Sequence, residues 1–182
     1  MRRIVVSTYV SLDGIYMDPT EWSMPYFDDA AGEYLDKLMR DADALLMGRV
    51  TYEGFAEAWT ARDGDIADQF NSMPKYVASR TLSAPLSWSN SHLVEGELVD
   101  YVAKLKEEGD GTILMYGTGP VSIALMNAGL VDEHHSWIHP VVWGGDEPRL
   151  FGSGLERFSF ELTGTTTTPS GIVILAHRPL AS

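Results

Sequence analysis

The apolar run "ALLM" at 44–47 passes through Gly48-Arg49-Val50 into the helical pattern "TYEGFAEAW", and "TILMY" at 112–116 passes through Gly117-Thr118-Gly119 into "PVSIALMN". A third run, "KYVAS" at 75–79, breaks off at Arg80-Thr81. Runs this short are strands, and strands apolar at every position are covered on both faces. Parallel sheets meet that condition, because the helices that return the chain from one strand to the next lie against them. The chain is thereby committed to an α/β sheet.

The remaining pattern fills in the sheet. Residues 4–10, "IVVSTYV", are β-branched and aromatic and end at the turn pair Asp13-Gly14, which predicts a first strand. The spacing of Ala31, Tyr34, Leu35, Leu38, Met39 and Ala42 predicts a helix over 28–42 with Asp28 as its cap. Thr51 is expected to cap the next helix, which turns Tyr52, Phe55, Ala56 and Trp59 inward. A polar stretch over 60–72 reads as a connection. A weaker strand is expected at 92–95, a helix at 98–108, and a helix that Pro120 opens and Gly129 ends. From 133 onward the chain is strand-rich: "HHSWIHPVVW", "FSFELTGTTTT" and "GIVILAHRP", the last two flanking a turn at Pro169-Ser170-Gly171. The threonines at 165–168 read as strand. The expected fold class is a three-layer α/β architecture: a central, mostly parallel mixed sheet, antiparallel C-terminal strands, and helices on both faces. One domain is expected over residues 1–182, without internal repeats.

Composition narrows the partners. Hydrophobic residues make up 45% of the 182 and charged residues 21%, a globular balance. A net charge of −13 repels nucleic acid, whose binding draws on clustered Lys and Arg. There is no cysteine, so thiolate zinc sites, disulfides and cysteine nucleophiles are excluded. The N-terminal apolar run is broken by Ser7, Thr8 and Ser11 and reads as a strand, not a signal peptide. No apolar run reaches the roughly 18 residues of a membrane span. A cytoplasmic location is expected.

Ligands of parallel α/β sheets gather outside the carboxyl ends of strands, where helix N-termini offer unpaired N–H groups to anions. Three such ends carry suitable residues: Gly48, Arg49 and Thr51; Ser79, Arg80 and Thr81; Gly117, Thr118, Gly119, Pro120 and Val121. Glycines admit a phosphate close to the backbone, hydroxyls donate, and arginine grips a terminal phosphate with two N–H groups. The set suits a pyrophosphate plus one further phosphate. His134, His135 and His139 are not expected to bind metal: the segment reads as strand, and their places are assigned to an exposed or interface face. Gly-x-Ser-x-Gly is absent, which leaves a hydrolase without support.

Taken in order, "SLDG" at 11–14, "MGRVTYE" at 47–53, "ASRTL" at 78–82, "MYGTGPV" at 115–121, "GLVDE" at 129–133 and "HPVVWGGDEPRLF" at 139–151 resemble the dihydrofolate reductase-like superfamily. The similarity is to the C-terminal reductase domain of bifunctional riboflavin-biosynthesis proteins in particular, and it runs nearly end to end. It implies an NADPH-dependent reductase of a small heterocycle or carbonyl compound. Gly48, Arg49, Thr51, Gly117, Thr118 and Gly119, with Pro120 and Val121, would hold the cofactor pyrophosphate, and Ser79, Arg80 and Thr81 the ribose 2′-phosphate. Gly14 would lie by the nicotinamide, Asp13 would be catalytic, and Ser11, Trp22 and Phe27 would border the substrate. The family's tendency to pair, with the apolar ending at 171–176, implies a homodimer. The resemblance stops at two places. Dihydrofolate reductases carry an acid on the first helix where this chain has Gly32, and riboflavin-pathway reductases carry a lysine where it has Ser7. Reduction of folate or of the riboflavin precursor, and nucleotide binding without turnover, stand as alternatives.

Overall fold

In the computed structural model, which describes residues 1–152, 154–157 and 159–180, the strands form one eight-stranded sheet. The strands are β1 (Arg3–Ser11), β2 (Ala42–Gly48), β3 (Lys75–Ala78), β4 (Ser91–Leu93), β5 (Thr112–Tyr116), β6 (Glu133–His139), β7 (Phe160–Thr167) and β8 (Val173–Pro179). The helices are α1 (Pro19–Trp22), α2 (Asp29–Asp41), α3 (Arg49–Thr60), α4 (Asp65–Ser72), α5 (Leu98–Glu107) and α6 (Pro120–Asn127). Strand order is β4-β3-β2-β5-β1-β6-β8-β7. The first six strands are parallel, whereas β8 runs antiparallel to both β6 and β7. This is the mixed sheet the residue pattern predicts.

Side-chain alternation divides the core into two layers. Ile4, Val6, Ala44, Leu46, Ile113 and Met115 pack on one face with Val102 and Leu105 of α5 and Leu125 and Met126 of α6. Val5, Leu45, Met47, Val77 and Leu114 pack on the other with Met39 of α2, Tyr52 of α3 and Phe70 of α4. On this second face a further cluster, Ala31, Trp137, Ile172 and Ile174, joins α2 to the C-terminal strands. Both faces of β2 and β5 are therefore covered, which is why their central residues, 44–47 and 113–115, are all apolar.

Four local expectations are corrected. The helix after β2 starts at Arg49 with Gly48 as its N-cap, so Thr51 lies inside the first turn instead of capping it. The polar stretch contains α4, whose Ala67 and Phe70 are buried; two inward residues anchor a helix too polar to stand out by composition. β6 stops at His139, since Pro140 has no N–H for the ladder and the Val141 N–H turns back to the His139 carbonyl at 2.8 Å. The three histidines are buried, not exposed, because β6 lies between β1 and β8.

A buried cation supports the edge of the second layer. Lys75, the first residue of β3, is fully buried and donates to the carbonyls of Asn71 (3.0 Å), Met73 (2.7 Å) and Ser89 (3.0 Å). Its ammonium also sits 4.3 Å from the centre of the Trp88 ring. Burial pulls its pKa down to about 8.

Candidate functional site

β2 and β5 are neighbours, yet the chain leaves them in opposite directions. From β2 it passes through α3 and α4 on one face towards β3, and from β5 through α6 on the other face towards β6. Diverging connections leave a crevice outside the carboxyl ends of the two strands. One wall is Gly48 and the start of α3, and the other is the loop Gly117-Thr118-Gly119 and the start of α6. The walls approach closely: a methyl group on Gly48 would meet Val121 Cγ2 at 3.3 Å.

The glycine loop is held from below and open above. The Gly117 N–H donates to the Ser7 carbonyl at 2.9 Å, and the buried Thr118 hydroxyl bonds that of Thr8 at 2.8 Å. Gly117 takes a positive φ of 76°, a conformation that favours glycine. A methyl group on either Gly117 or Gly119 would meet nothing within 4 Å, so both face free space. No side chain caps α3, whose N-cap is Gly48, whereas at α6 the Ser122 hydroxyl folds back to accept from the Gly119 N–H at 3.0 Å. The first N–H groups of α3 thus remain available to an anion, and at α6, where Pro120 has no N–H, the first such donor is that of Val121.

Ala78, the last residue of β3, is in register with Gly48, which sets the Ser79-Arg80-Thr81 loop beside the crevice. Ser79 Oγ accepts from the N–H groups of Thr81 (3.1 Å) and Leu82 (3.0 Å), forming a tight turn. Arg80 is exposed on that turn and has no ion pair among the described residues. Arg49 is also exposed but bonds Glu53 one helical turn on at 2.8 Å. Such a surface pair stabilises by a few tenths of a kcal/mol and is readily exchanged for a phosphate. The three predicted strand ends therefore stand side by side on one edge of the sheet, in the order β3, β2, β5.

The β1 loop is built differently from the expectation. Asp13 accepts from Ser11 Oγ at 2.6 Å and from the backbone N–H groups of Trp143 (3.1 Å) and Gly144 (2.9 Å). The Ser11 hydrogen bond, joined by these two, holds its pKa down at about 2. An ionised carboxylate whose lone pairs are committed fastens the 143–144 loop to the turn after β1 and has no proton to give at neutral pH. Asp13, expected to be catalytic, is placed by the structure in this fastening turn. Ser11 is buried, donating to Asp13 and accepting from the Ile15 N–H at 2.9 Å, so it belongs to the turn and not to a substrate surface. Gly14, with φ of 91°, packs against the Arg149 side chain. Trp22, only 2% exposed, donates to the Met17 carbonyl and packs edge-on against His139 at 5.2 Å, which makes it core. Phe27 stays 36% exposed before α2, with its ring 3.9 Å from where a Gly32 methyl would lie.

Residue reading missed the aromatic floor between β1, β5 and β6. Tyr9 lies 5.1 Å from both Trp137 and His139, and Trp137 donates to Ser7 Oγ at 3.0 Å. Tyr34 of α2 meets Trp137 edge-on and bonds His135 Nδ1 at 2.9 Å; burial, then Glu133, raise its pKa to about 12. The signal was alternation: Ser7 and Tyr9, like His135, Trp137 and His139, fall on one face of adjacent strands. Among the described residues no group of three His, Asp or Glu could hold a metal, and no helix is long and apolar enough to cross a membrane.

This strand order, with its parallel sheet, antiparallel ending and switch-point crevice, is the dihydrofolate reductase-like fold. Dihydrofolate reductase of Enterococcus faecalis, solved as a complex with NADP(H), superposes with a TM-score of 0.64 over 98% of this chain and 97% of its own, at 12% identity. A protein named for riboflavin biosynthesis from Shewanella sp. PV-4 superposes with a TM-score of 0.79 at 24% identity, over 98% of this chain and 99% of its own. In sequence, residues 2–174 match the RibD C-terminal domain, and the chain belongs to that family. The uncharacterized protein YyaP of Bacillus subtilis (strain 168) is 27% identical over 97% of this chain and 95% of its own.

Proposed function

We propose that this chain is an NADPH-dependent reductase acting on a small planar heterocycle or carbonyl compound. The observation that carries the reading is the crevice between β2 and β5: the uncapped N-terminus of α3 faces two glycines open to free space at the start of α6, and the next strand end carries an arginine with no ion pair among the described residues. Membership of the RibD C-terminal family supports a reductase-type activity, and the dihydrofolate reductase that shares the fold binds NADP(H). The residues fit the cofactor. Gly48, Arg49 and Thr51 would hold its pyrophosphate from one side, and Gly117, Gly119, Pro120 and Val121 from the other. Thr118 serves through its backbone, since its hydroxyl is spent on Thr8. Ser79, Arg80 and Thr81 would take the 2′-phosphate, with Gly14 towards the nicotinamide and Phe27 towards the substrate. When bound, the cofactor supplies a hydride; the chain orients it and keeps water away.

Fluorescence titration with NADPH and NADH tests this reading. Wild type is expected to prefer NADPH, and Arg80→Ala to weaken NADPH about 10-fold or more while leaving NADH within twofold, as loss of a charged hydrogen bond requires. Equal losses for both would contradict the 2′-phosphate assignment. The same proposal includes a homodimer. On the sheet face opposite α2, β6, β8 and β7 present Ile138, Val173, Leu175 and the exposed Leu162, and among the described residues no helix covers them. Light scattering is expected to give twice the 20.1 kDa chain mass, and a monomer would refute the pairing.

A further inference from the structure

Adding a hydride to a C=N or C=O carbon leaves an electron pair on the heteroatom, which must take up a proton. The groups that commonly give it are missing, committed or, like His139 Nε2, sealed from solvent. Asp13 is an ionised fastener, and at the start of α2 Asp28 is spent on the Ala31 and Ser170 N–H groups, Asp29 is exposed and the buried position is Ala31. At the ends of β1 and β5, Ser7 accepts from Trp137, Thr8 and Thr118 bond each other, Ser11 bonds Asp13, and Tyr116 donates to Met39 Sδ. Tyr9 has no hydrogen-bond partner among the described residues. Its ring is clamped by Trp137 and His139, and both clamps are themselves fixed, Trp137 by Ser7 Oγ and His139 by its Nδ1 contact with the Trp137 carbonyl at 2.8 Å. Its hydroxyl is nevertheless not one of the sealed, unpartnered polar atoms, so it opens onto accessible space.

The position of that hydroxyl is informative. Ser7 is in register with Tyr116, and Tyr9 follows two residues on along the same face, one step nearer the carboxyl edge. Its phenol acts electrostatically on that of Tyr116, the residue immediately before the glycine loop. A half-buried phenol whose ring is clamped, and whose hydroxyl is open at the carboxyl edge with no partner among the described residues, points to a ligand.

We propose that Tyr9 is the proton donor to the reduced substrate, and that the substrate is a planar compound whose C=N or C=O heteroatom lies on the Tyr9 hydroxyl. This inference rests on the reductase reading above. The carbon of the double bond accepts a hydride from reduced nicotinamide, the π pair moves to the nitrogen or oxygen, and that atom takes the phenolic proton. Water then returns a proton to the phenolate. The phenol is protonated at neutral pH, and burial, which raises its pKa, disfavours the phenolate and so drives its reprotonation by water after the transfer.

Tyr9→Phe keeps the ring and removes the hydroxyl, so it tests the donor without removing the packing. Its melting temperature is expected within about 2 °C of wild type, because no hydrogen bond within the protein is lost. NADPH affinity should stay within about twofold. Binding of 7,8-dihydrobiopterin, read by quenching of tryptophan fluorescence without cofactor, should weaken about 2- to 10-fold. The kcat for NADPH oxidation by 7,8-dihydrobiopterin or 9,10-phenanthrenequinone should fall about 100-fold or more, well beyond the change in KM. A variant with unchanged dihydrobiopterin binding and unchanged kcat would overturn the assignment while leaving the reductase reading intact. Wild type that binds NADPH but reduces neither probe would also overturn it. Wild type that fails to bind NADPH would remove both.

Discussion

Gly119→Ala separates a glycine needed for the fold from one needed for a ligand. Gly119 has φ of −177°, extended backbone that any residue adopts, and an added methyl would meet nothing within 4 Å. Two effects of the change on stability oppose each other. Alanine restricts the unfolded chain, which stabilises by about 0.4–1 kcal/mol. It is also a poorer N-cap than glycine for α6, which costs a similar amount. The net change in the free protein should lie within about 1 kcal/mol of zero. The methyl would instead stand in the space over the glycine loop, where the account places the pyrophosphate. Forcing such a group into a packed contact costs about 1–3 kcal/mol, or roughly 5- to 150-fold in affinity. Urea unfolding should therefore show an almost unchanged midpoint, and NADPH titration a clear loss. Unchanged stability with unchanged NADPH affinity would show that the loop does not line the nucleotide, and the site would have to be sought elsewhere.

Two further predictions concern buried cations and histidines. Burial, followed by the neighbouring His135 and His177, lowers the pKa of His134 to about 3. Between its ordinary value near 6.5 and that value, only the unfolded chain carries the proton, so stability falls as pH drops below 6.5, by up to ~1.4 kcal/mol per pH unit from this residue. Urea unfolding at pH 7 and pH 5 should show a shallower decline for His134→Leu than for wild type; parallel declines would refute it. For Lys75 the window is about 8 to 10.5, in which the folded state has shed a proton that the unfolded state still holds. Wild type should therefore gain stability relative to Lys75→Met between pH 7.5 and pH 10 in thermal melts, and a gap that stays constant would count against a desolvated ammonium.

The fold was legible where sequence pattern and burial coincide. "ALLM" and "TILMY" could only be strands covered on both faces, and Pro120 and Gly129 bracket α6 as their backbone preferences require. α4 was not legible because its anchoring residues, Ala67 and Phe70, sit among aspartates, glutamine and asparagine, and only tertiary packing selects the helix. In the site, the grouping of strand ends followed from the rule that ligands gather at carboxyl edges, but individual side-chain roles did not. Ser11, Asp13 and Trp22 carry the residue types of a reactive cleft, but Ser11 and Asp13 are tied to each other, Asp13 to Trp143 and Gly144, and Trp22 to Met17. The sequence does not specify such contacts, since Asp13 and Gly144 are joined only by the folding of β1 against β6. Tyr9 was invisible for the opposite reason: an aromatic in a β-branched strand reads as core until the absence of a partner for its hydroxyl is seen.

A crystal structure of the protein grown with NADPH tests the central claim most directly. The account predicts the pyrophosphate between Gly48-Arg49 and the Gly117–Gly119 loop, with the 2′-phosphate on Ser79, Arg80 and Thr81. A nucleotide bound away from the carboxyl edges of β2, β3 and β5 would contradict it.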